Sequence, residues 1–222
     1  ADQTVSVSTT DDDVAGFTVA ETDGSTGVDE SGTTDIITVV LNAQPASDVV
    51  MAISSSDISE SSLNSPLTFT SENWDTPQTV TITGVDDDVI DGDQSTTITV
   101  SVVDALSDDD FDSLNDQTVA SVTADNDQAG FTVVEFGGST GVTESGDTDT
   151  FTVVLDAQPD SDVVLSITSS DTGEATVTST LTFTSANWNS AQTVTVTGVD
   201  DNTIDGSQTS TITIAVDDAN SD

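Results

Sequence analysis

The chain contains no lysine, arginine or histidine, and it also lacks cysteine and tyrosine. It therefore has no imidazole base, lysine nucleophile, thiolate or phenolic acid, which excludes most side-chain catalysis. Nothing in it neutralises phosphate, so we expect no nucleic-acid binding. The lack of cysteine excludes disulfide bonds. No apolar run approaches the roughly 20 residues that span a membrane, so we expect no membrane insertion.

Acidic residues dominate what is present. The chain has 42 Asp and Glu residues among 222, which gives a formal net charge of −42 at pH 7. Self-repulsion of this size destabilises a compact state unless positive charge comes from outside. Ligands that are all oxygen favour hard cations, so the predicted cofactor is Ca²⁺. An acidic, cysteine-free, threonine-rich β chain is typical of secreted bacterial surface proteins, so the predicted location is extracellular, at a bacterial cell surface.

The sequence is built from two copies of one unit. Residues 16–19 (Gly-Phe-Thr-Val) recur at 130–133, and Trp74 recurs as Trp188, in both cases 114 residues later and without a gap. Residues 1–10 match the end of a unit, around 116–124. We therefore expect repeat 1 over 14–127, repeat 2 over 128–222, and a separate terminal strand within 1–13.

Each repeat is predicted to form short β-strands, because apolar residues alternate with Thr and Ser and no stretch has a helical period. In repeat 1 the predicted strands A to G centre on Phe17, 37–41, 49–53, 67–69, 80–82, 98–102 and 119–122. About seven short strands in roughly 100 residues are typical of an immunoglobulin-like sandwich. The predicted fold class is all-β: two tandem immunoglobulin-like sandwiches, with the N-terminal strand completing a neighbouring unit.

Strand parity predicts where the acidic residues meet. If successive strands run up and down, then the A–B turn, the C–D loop, the E–F loop and the exit of strand G share one end of the sandwich. In repeat 1 that end carries Glu30, Asp57, Glu60, Asp86, Asp87, Asp88, Asp91, Asp93, Asp125 and Asp127. In repeat 2 it carries Glu144, Asp171, Glu174, Asp200, Asp201 and Asp205. Crowded carboxylates repel one another, and calcium takes six to eight oxygens in flexible geometry.

From these residues we predict a set of calcium ligands. They are Glu30, Asp57, Asp86, Asp87, Asp88, Asp91, Asp125, Asp127, Glu144, Asp171, Asp200, Asp201 and Asp205, together with Asp11 and Asp13, which match Asp125 and Asp127. Asp127 lies three residues before Gly130, where the next strand A begins, so calcium there would fix the angle between neighbouring units. The alternative interpretation is a solvated acidic surface of a protein from a salty habitat.

The sequence resembles a Calx-β repeat. The marks are Glu30 in Val-Asp-Glu-Ser-Gly, Val-Asp-Asp-Asp at 85–88, and Asp-rich triplets that run into Ala-Gly-Phe at 11–17 and 125–131. Calx-β repeats are calcium-binding immunoglobulin-like sandwiches of sodium–calcium exchangers, integrin subunits and long bacterial surface proteins. The resemblance implies calcium ligands at Glu30, Asp86, Asp87, Asp125, Asp127, Glu144, Asp200 and Asp201. The chain departs from the family in lacking its Asp-Tyr pair and in having Asn202 where a third Asp is expected.

Repeat 2 has no counterpart of strand G before Asp222. Strand F would then present Ile212, Ile214 and Val216 at an open sheet edge, which proteins avoid. We expect the strand within 1–13 of one copy to complete repeat 2 of another copy, and this head-to-tail contact makes a filament. The alternative is that the 222 residues are a window on a longer continuous array.

The predicted function is an extracellular structural repeat protein that forms a calcium-rigidified rod or a head-to-tail filament of its own copies. The alternative is the stalk of a large bacterial adhesin that carries a separate binding domain. We expect no enzyme activity: paired carboxylates can hydrolyse glycosides, but here they are expected to crowd a junction rather than line a cleft. Thr- and Ser-rich faces offer sites for O-linked glycans.

Two further patterns receive structural interpretations. Residues 108–112 (Asp-Asp-Asp-Phe-Asp) are interpreted as a solvated run in the F–G loop. Trp74 and Trp188 are interpreted as plugs over the sandwich edge rather than as a carbohydrate platform.

Overall fold

The computed structural model describes residues 2–221, and the all-β prediction is confirmed. The helical segments of these residues are two single 3₁₀ turns, Asp104–Leu106 and Phe136–Gly138. No helix in the described part of the chain is long and apolar enough to cross a membrane. The chain divides into two compact units, which we call unit 1 (residues 2–87 and 92–126) and unit 2 (residues 88–91 and 127–221).

Unit 1 is a sandwich of two sheets. One sheet has the order β1 (Phe17–Glu21), β3 (Thr34–Leu41), β7 (Gln78–Gly84), β5 (Ser61–Leu63). The other has the order β2 (Thr26–Asp29), β9 (Gln117–Ala124), β8 (Gln94–Val102), β4 (Val49–Ser55), β6 (Leu67–Phe69).

The core of unit 1 follows from the alternation in its sequence. Alternate residues of β3 and β7, such as Ile37, Val39 and Val80, are fully buried, and so are Ile98 and Val100 of β8 in the facing sheet. The residues between them are mostly Thr and Ser, which face outward. β-Branched side chains fit this pleated, half-buried surface well.

Predicted strand A is β1, and the segment predicted as the A–B turn contains a further strand, β2, in the other sheet. β1 pairs antiparallel with β3, whereas β2 pairs parallel with β9 in the other sheet. Asp29, the last residue of β2, lies opposite Ala124, the last residue of β9. The turn that begins at Glu30 is therefore held beside the segment that follows β9.

Unit 2 repeats the architecture with fewer strands. One sheet has the order β10 (Phe131–Glu135), β11 (Thr148–Leu155), β15 (Gln192–Gly198), β13 (Ala175–Val177). The other has the order β14 (Thr180–Phe183), β12 (Val163–Ser169), β16 (Ile212–Val216). Among residues 2–221, unit 2 has no counterpart of β2 or β9.

The strand predicted within 1–13 does not form within this chain: residues 2–13 are in no strand, and Ala1 lies outside the described residues. Within this segment Val5 is 88% exposed and Val7 is 85% exposed. The boundaries 14–127 and 128–222 stay predictions.

The interpretation of residues 108–112 as a solvated run is wrong at Asp108. This side chain is buried, and its Oδ2 accepts hydrogen bonds from the main-chain N–H groups of Ala46 (2.7 Å) and Ser47 (2.8 Å). These bonds lower the pKa of the Asp108 carboxyl. The carboxylate thus fixes the loop between β3 and β4.

The interpretation of the tryptophans as plugs is confirmed. Trp188 is buried in the core of unit 2, and Trp74 packs against the core of unit 1. The carbonyl of each accepts an N–H from the last residue of the β-strand beside it, Leu155 for Trp188 (3.2 Å) and Leu41 for Trp74 (3.1 Å).

Candidate metal centre

Glu30 begins the turn after β2, and its side chain is 1% exposed. Its Oε2 accepts a hydrogen bond from the N–H of Asn126 (3.1 Å), and its own N–H donates to the carbonyl of Ala124 (3.3 Å). The turn is shaped by Asp29, whose Oδ1 accepts from the N–H (3.0 Å) and the hydroxyl of Ser31. The Ser31 hydroxyl is the main cause of the lowered pKa of Asp29. These contacts aim the buried carboxylate at the segment after β9.

The loop between β7 and β8 meets the same segment. Oδ2 of Asp125 accepts the N–H of Gly92 (2.8 Å), and the N–H of Asp125 donates to Oδ1 of Asp93 (3.3 Å). This loop, residues 85–93, also contains the predicted ligands Asp86, Asp87, Asp88 and Asp91.

The loop between β4 and β5 reaches this end of the sandwich through Glu60. Its carbonyl accepts the N–H of Val85 (3.0 Å) and the hydroxyl of Thr123 (3.2 Å). Together with the contacts of Glu30 and Asp125, these bonds confirm that the four acidic segments of unit 1 meet at one end.

Three carboxylates come close enough to share one cation. Glu30, Asp125 and Asp127 each offer a carboxylate oxygen, and these oxygens all lie within 4.8 Å of one another. The ligand atoms are all hard oxygens, and the chain has no His or Cys that would recruit a softer metal. This set therefore fits calcium, which needs further oxygens from main chain or water to complete six to eight.

Unit 2 has a second group, at the positions that match Glu60, Asp87 and Asp91 of unit 1. Carboxylate oxygens of Glu174, Asp201 and Asp205 lie within 4.8 Å of one another. The pKa of Glu174 is raised, first by desolvation and then by the negative charges of its neighbours, led by Asp205 and Asp201. Sequence reasoning placed Glu174 at this end of the sandwich but omitted it from the ligand set. The sequence feature that could have identified Glu174 is its match to Glu60, an acidic residue in the same loop of repeat 1.

Asp57 and Asp171 lie in neither group and shape their own loops. Oδ1 of Asp57 accepts the N–H of Ser59 (3.0 Å) and its hydroxyl (2.5 Å), which lowers the pKa of Asp57. Oδ1 of Asp171 accepts the N–H of Gly173 (2.9 Å). This local bonding is the ordinary role of Asp at a turn.

The remaining predicted ligands also lie outside the two groups that the described residues form. Asp87 is half-buried. The others are exposed, and they are Asp11, Asp13, Asp86, Asp88, Asp91, Glu144 and Asp200. Their role in binding calcium stays a prediction.

One expectation about the acidic residues is wrong in unit 2. Glu144, Glu174 and Asp205 line a groove of about 1030 Å³, so they do not only crowd a junction. The groove opens because the facing sheet of unit 2 has three strands where that of unit 1 has five.

The chain was compared with known proteins. No protein-family model and no curated protein sequence matches it. Among solved structures it is similar to CBD12 from CALX1.2, with 14% identity, a TM-score of 0.37, and coverage of 89% of this chain and 79% of that one. The calcium binding domain CBD12 of CALX1.1 gives 17% identity, a TM-score of 0.37, and coverage of 79% and 72%. Domains 5-6 of the S-layer protein SbsC give 16% identity, a TM-score of 0.31, and coverage of 90% and 90%.

Likeness at this level carries no argument about what the chain binds or does. The all-β architecture and the two carboxylate groups rest on the strands and contacts described above.

Proposed function

We propose that the chain is a non-enzymatic extracellular structural protein that binds calcium at the ends of its sandwiches and forms a calcium-rigidified rod or head-to-tail filament. The observation that carries this is the burial of Glu30, which is 1% exposed. One of its carboxylate oxygens lies within 4.8 Å of carboxylate oxygens of Asp125 and Asp127, in a chain that has no side-chain cation.

The buried charge of Glu30 is the reason to expect a cation. Burying a carboxylate is costly unless it is paired, and removing one partner of a buried ion pair typically costs about 3–5 kcal/mol. The usual partners, Lys and Arg, are absent from this sequence. A divalent cation from solution is the partner whose chemistry suits three converging carboxylates.

Stiffening follows from which segments the ligands belong to. Glu30 belongs to the turn after β2, whereas Asp125 and Asp127 belong to the segment that leads from β9 to β10. A cation bound by all three ties that segment to unit 1 and removes rotational freedom from it. Because only four residues lie between Asp125 and Gly130, little of the connection is left free.

Calcium titration of the 222-residue chain tests this proposal. We expect isothermal titration calorimetry to detect calcium binding that Glu30→Gln weakens, and the matched exposed variant Glu72→Gln to bind like the wild type. Small-angle scattering is expected to show a narrower distribution of molecular dimensions in calcium than after chelation. Absence of binding heat, together with identical melting curves in calcium and in chelator, would favour the solvated-surface interpretation.

A further inference from the structure

The groove in unit 2 is lined by apolar residues whose counterparts in unit 1 are buried in the core. It is lined on one side by Phe151 and Val196 and on the other by Ile212 and Ile214. In unit 1 the counterparts of these four residues, Ile37, Ile82, Ile98 and Val100, are all 0% exposed. In unit 2, Ile212 and Ile214 are only half-buried, and Val133 is 43% exposed.

The absence of one strand among residues 2–221 explains the differences between the units. In unit 1, β9 pairs with β2 and is the strand that pairs with residues 94–97 of β8, since β4 pairs only with residues 98–102. Their counterparts in unit 2, residues 140–143 and 208–211, are in no strand. Both segments lose their ladder hydrogen bonds when a strand equivalent to β9 is missing, and a sheet edge of this kind is a template for another chain.

The chain carries a segment that matches this strand. Residues 2–10 correspond to 116–124, and Val5, Val7 and Thr9 fall on Val119, Ser121 and Thr123. In β9 these are the inward positions: Val119 packs against the core, Ser121 is 0% exposed and Thr123 is 1% exposed.

The inward position of Ser121 shows how well the segment 2–10 would suit the groove. Its hydroxyl is buried and has no hydrogen-bond partner among the described residues. The segment 2–10 has Val7 at this position, which buries no polar atom there. Its alternation of Val or Thr with Ser therefore suits an apolar groove at least as well as β9 itself.

We propose that residues 2–10 of a second copy dock in the groove of unit 2, antiparallel to an extended β16, and that Asp11 and Asp13 of that copy complete the calcium site. Val5 is then opposite Ile212, as Val119 is opposite Ile98 in unit 1. Residues 140–143 form a parallel strand on the other side of the donated segment, as β2 does beside β9. Repetition of this contact gives an open filament.

The calcium part of this inference rests on the proposed function. Asp125 and Asp127, which follow β9, form the carboxylate group with Glu30. Asp11 and Asp13 follow the donated segment in the same way, and Glu144 is the counterpart of Glu30. Glu144 is exposed where Glu30 is buried, so unit 2 has only part of the site. Docking adds two carboxylates near Glu174, Asp201 and Asp205, and their repulsion makes calcium a requirement for assembly.

The register of the docked strand can be tested by cross-linking, because the chain has no cysteine of its own. Ser6 and Thr211 correspond to Ala120 and Thr97, which are direct cross-strand partners in unit 1. Directly opposite residues lie at a spacing that allows a disulfide, roughly 4.5–5.5 Å between Cα atoms. The 222-residue chain with Ser6→Cys and Thr211→Cys is expected to give a ladder of oligomers on non-reducing gels in calcium.

Two matched controls make the result specific. Ser6→Cys with Ala215→Cys places the second thiol four residues out of register on the same exposed face, and is expected to cross-link at least tenfold more slowly. In the chain without cysteines, Val5→Asp with Val7→Asp is expected to abolish oligomers in scattering. Ser6→Asp with Ser8→Asp adds the same charge on the outward face and is expected to preserve them. Equal cross-linking in and out of register, or equal loss with both Asp pairs, would overturn strand donation.

The calcium contribution is separated from strand donation by Asp11→Asn with Asp13→Asn. We expect this variant of the cross-linking chain to need roughly tenfold or more calcium for half-maximal cross-linking, since loss of a partner of a metal ligand already has an effect of this size. If in-register cross-linking depends neither on calcium nor on Asp11→Asn with Asp13→Asn, the completed calcium site is overturned, while strand donation remains supported.

Another occupant of the groove is a later segment of the same chain. An intact mass of the native protein far above 22.7 kDa, with residues 140–143 and 208–211 already protected from hydrogen exchange in the monomer, would assign the groove to that segment. Protection of both segments only in the oligomer supports donation by a second copy.

Discussion

The N–H of Asn126 donates a hydrogen bond of 3.1 Å to Oε2 of Glu30, although the two residues are 96 positions apart. The bond joins the turn after β2 to the segment after β9. Because Asp125 and Asp127 flank Asn126, the same bond keeps three carboxylates together. The fold thus brings like charges together that would separate in a free chain, and a cation bound between them would offset their repulsion, as the proposed function requires.

Replacement of Glu30 by Gln should reduce the stabilisation that calcium provides. A ligand present at 100 times its Kd stabilises the folded state by about 2.7 kcal/mol, and we expect Glu30→Gln to lose most of this effect in unit 1. Without calcium the variant should be at least as stable as the wild type, because it buries no charge. Differential scanning calorimetry in calcium and in chelator measures both effects. Equal calcium-dependent shifts in Glu30→Gln and in the exposed control Glu72→Gln would contradict a site at Glu30.

Gly84 should control the position of the turn that holds Glu30. A Cβ at Gly84 would overlap the carbonyl oxygen of Asp29, a main-chain atom that cannot move without moving the turn. We expect Gly84→Ala to destabilise unit 1 by about 1–3 kcal/mol, as overpacking does, and to weaken calcium binding as well. Calorimetric titration measures the second effect.

A second glycine variant separates the loss of stability from the loss of calcium binding. Gly24 has φ +81° and no atom within 4 Å of an added Cβ. Gly24→Ala should cost roughly 1–2 kcal/mol through its backbone conformation alone and leave calcium binding unchanged. If the two variants bind calcium alike, the turn does not depend on the close approach at Gly84.

The alternation of the sequence predicts the strands that form the core, and strand parity predicts the acidic end. Ile37, Val39 and Leu41 are buried together as the period of two requires. β2, which lies in the predicted A–B turn, was not predicted, because its parallel pairing with β9 joins residues far apart in the chain. β5 was missed as well, since Ser61–Leu63 has little β-propensity and pairs with β7 through tertiary structure.

The candidate site could be predicted by region but not by residue. Acidic residues of four loops meet as expected, yet distances single out Glu30, Asp125 and Asp127 from a larger set. Asp57 has the same composition signal, but its carboxylate bonds to Ser59 two residues later. Sequence cannot distinguish these roles, because an Asp that caps its own turn and an Asp that faces a cation both occur in polar loops.

Asp108 should contribute stability that does not depend on calcium. Asp108→Ala leaves the N–H groups of Ala46, Ser47 and Asp110 without the acceptor they have in the wild type. A hydrogen bond to a charged group contributes about 1.5–3 kcal/mol, so we expect a loss of about this size in urea unfolding, with or without calcium. Asp109→Ala, one residue along and exposed, should be neutral. A loss that disappears in calcium would instead indicate a role for Asp108 in metal binding.

Glu174 should make unit 2 less stable as pH rises in calcium-free buffer. Its pKa in the folded state is raised above 4.5 by desolvation and by Asp205 and Asp201, so the folded state holds this proton more tightly than the unfolded chain does. The resulting stability is fully present below the unfolded pKa and is lost as pH rises through the folded pKa. We expect the melting temperature of unit 2 to fall over this window, and Glu174→Gln to flatten the profile where Glu72→Gln does not.

Calcium should reverse the slope of melting temperature against pH, because it binds the ionised carboxylates. Parallel profiles for the wild type and Glu174→Gln in both buffers would mean that this carboxylate is solvated and takes no part in the site.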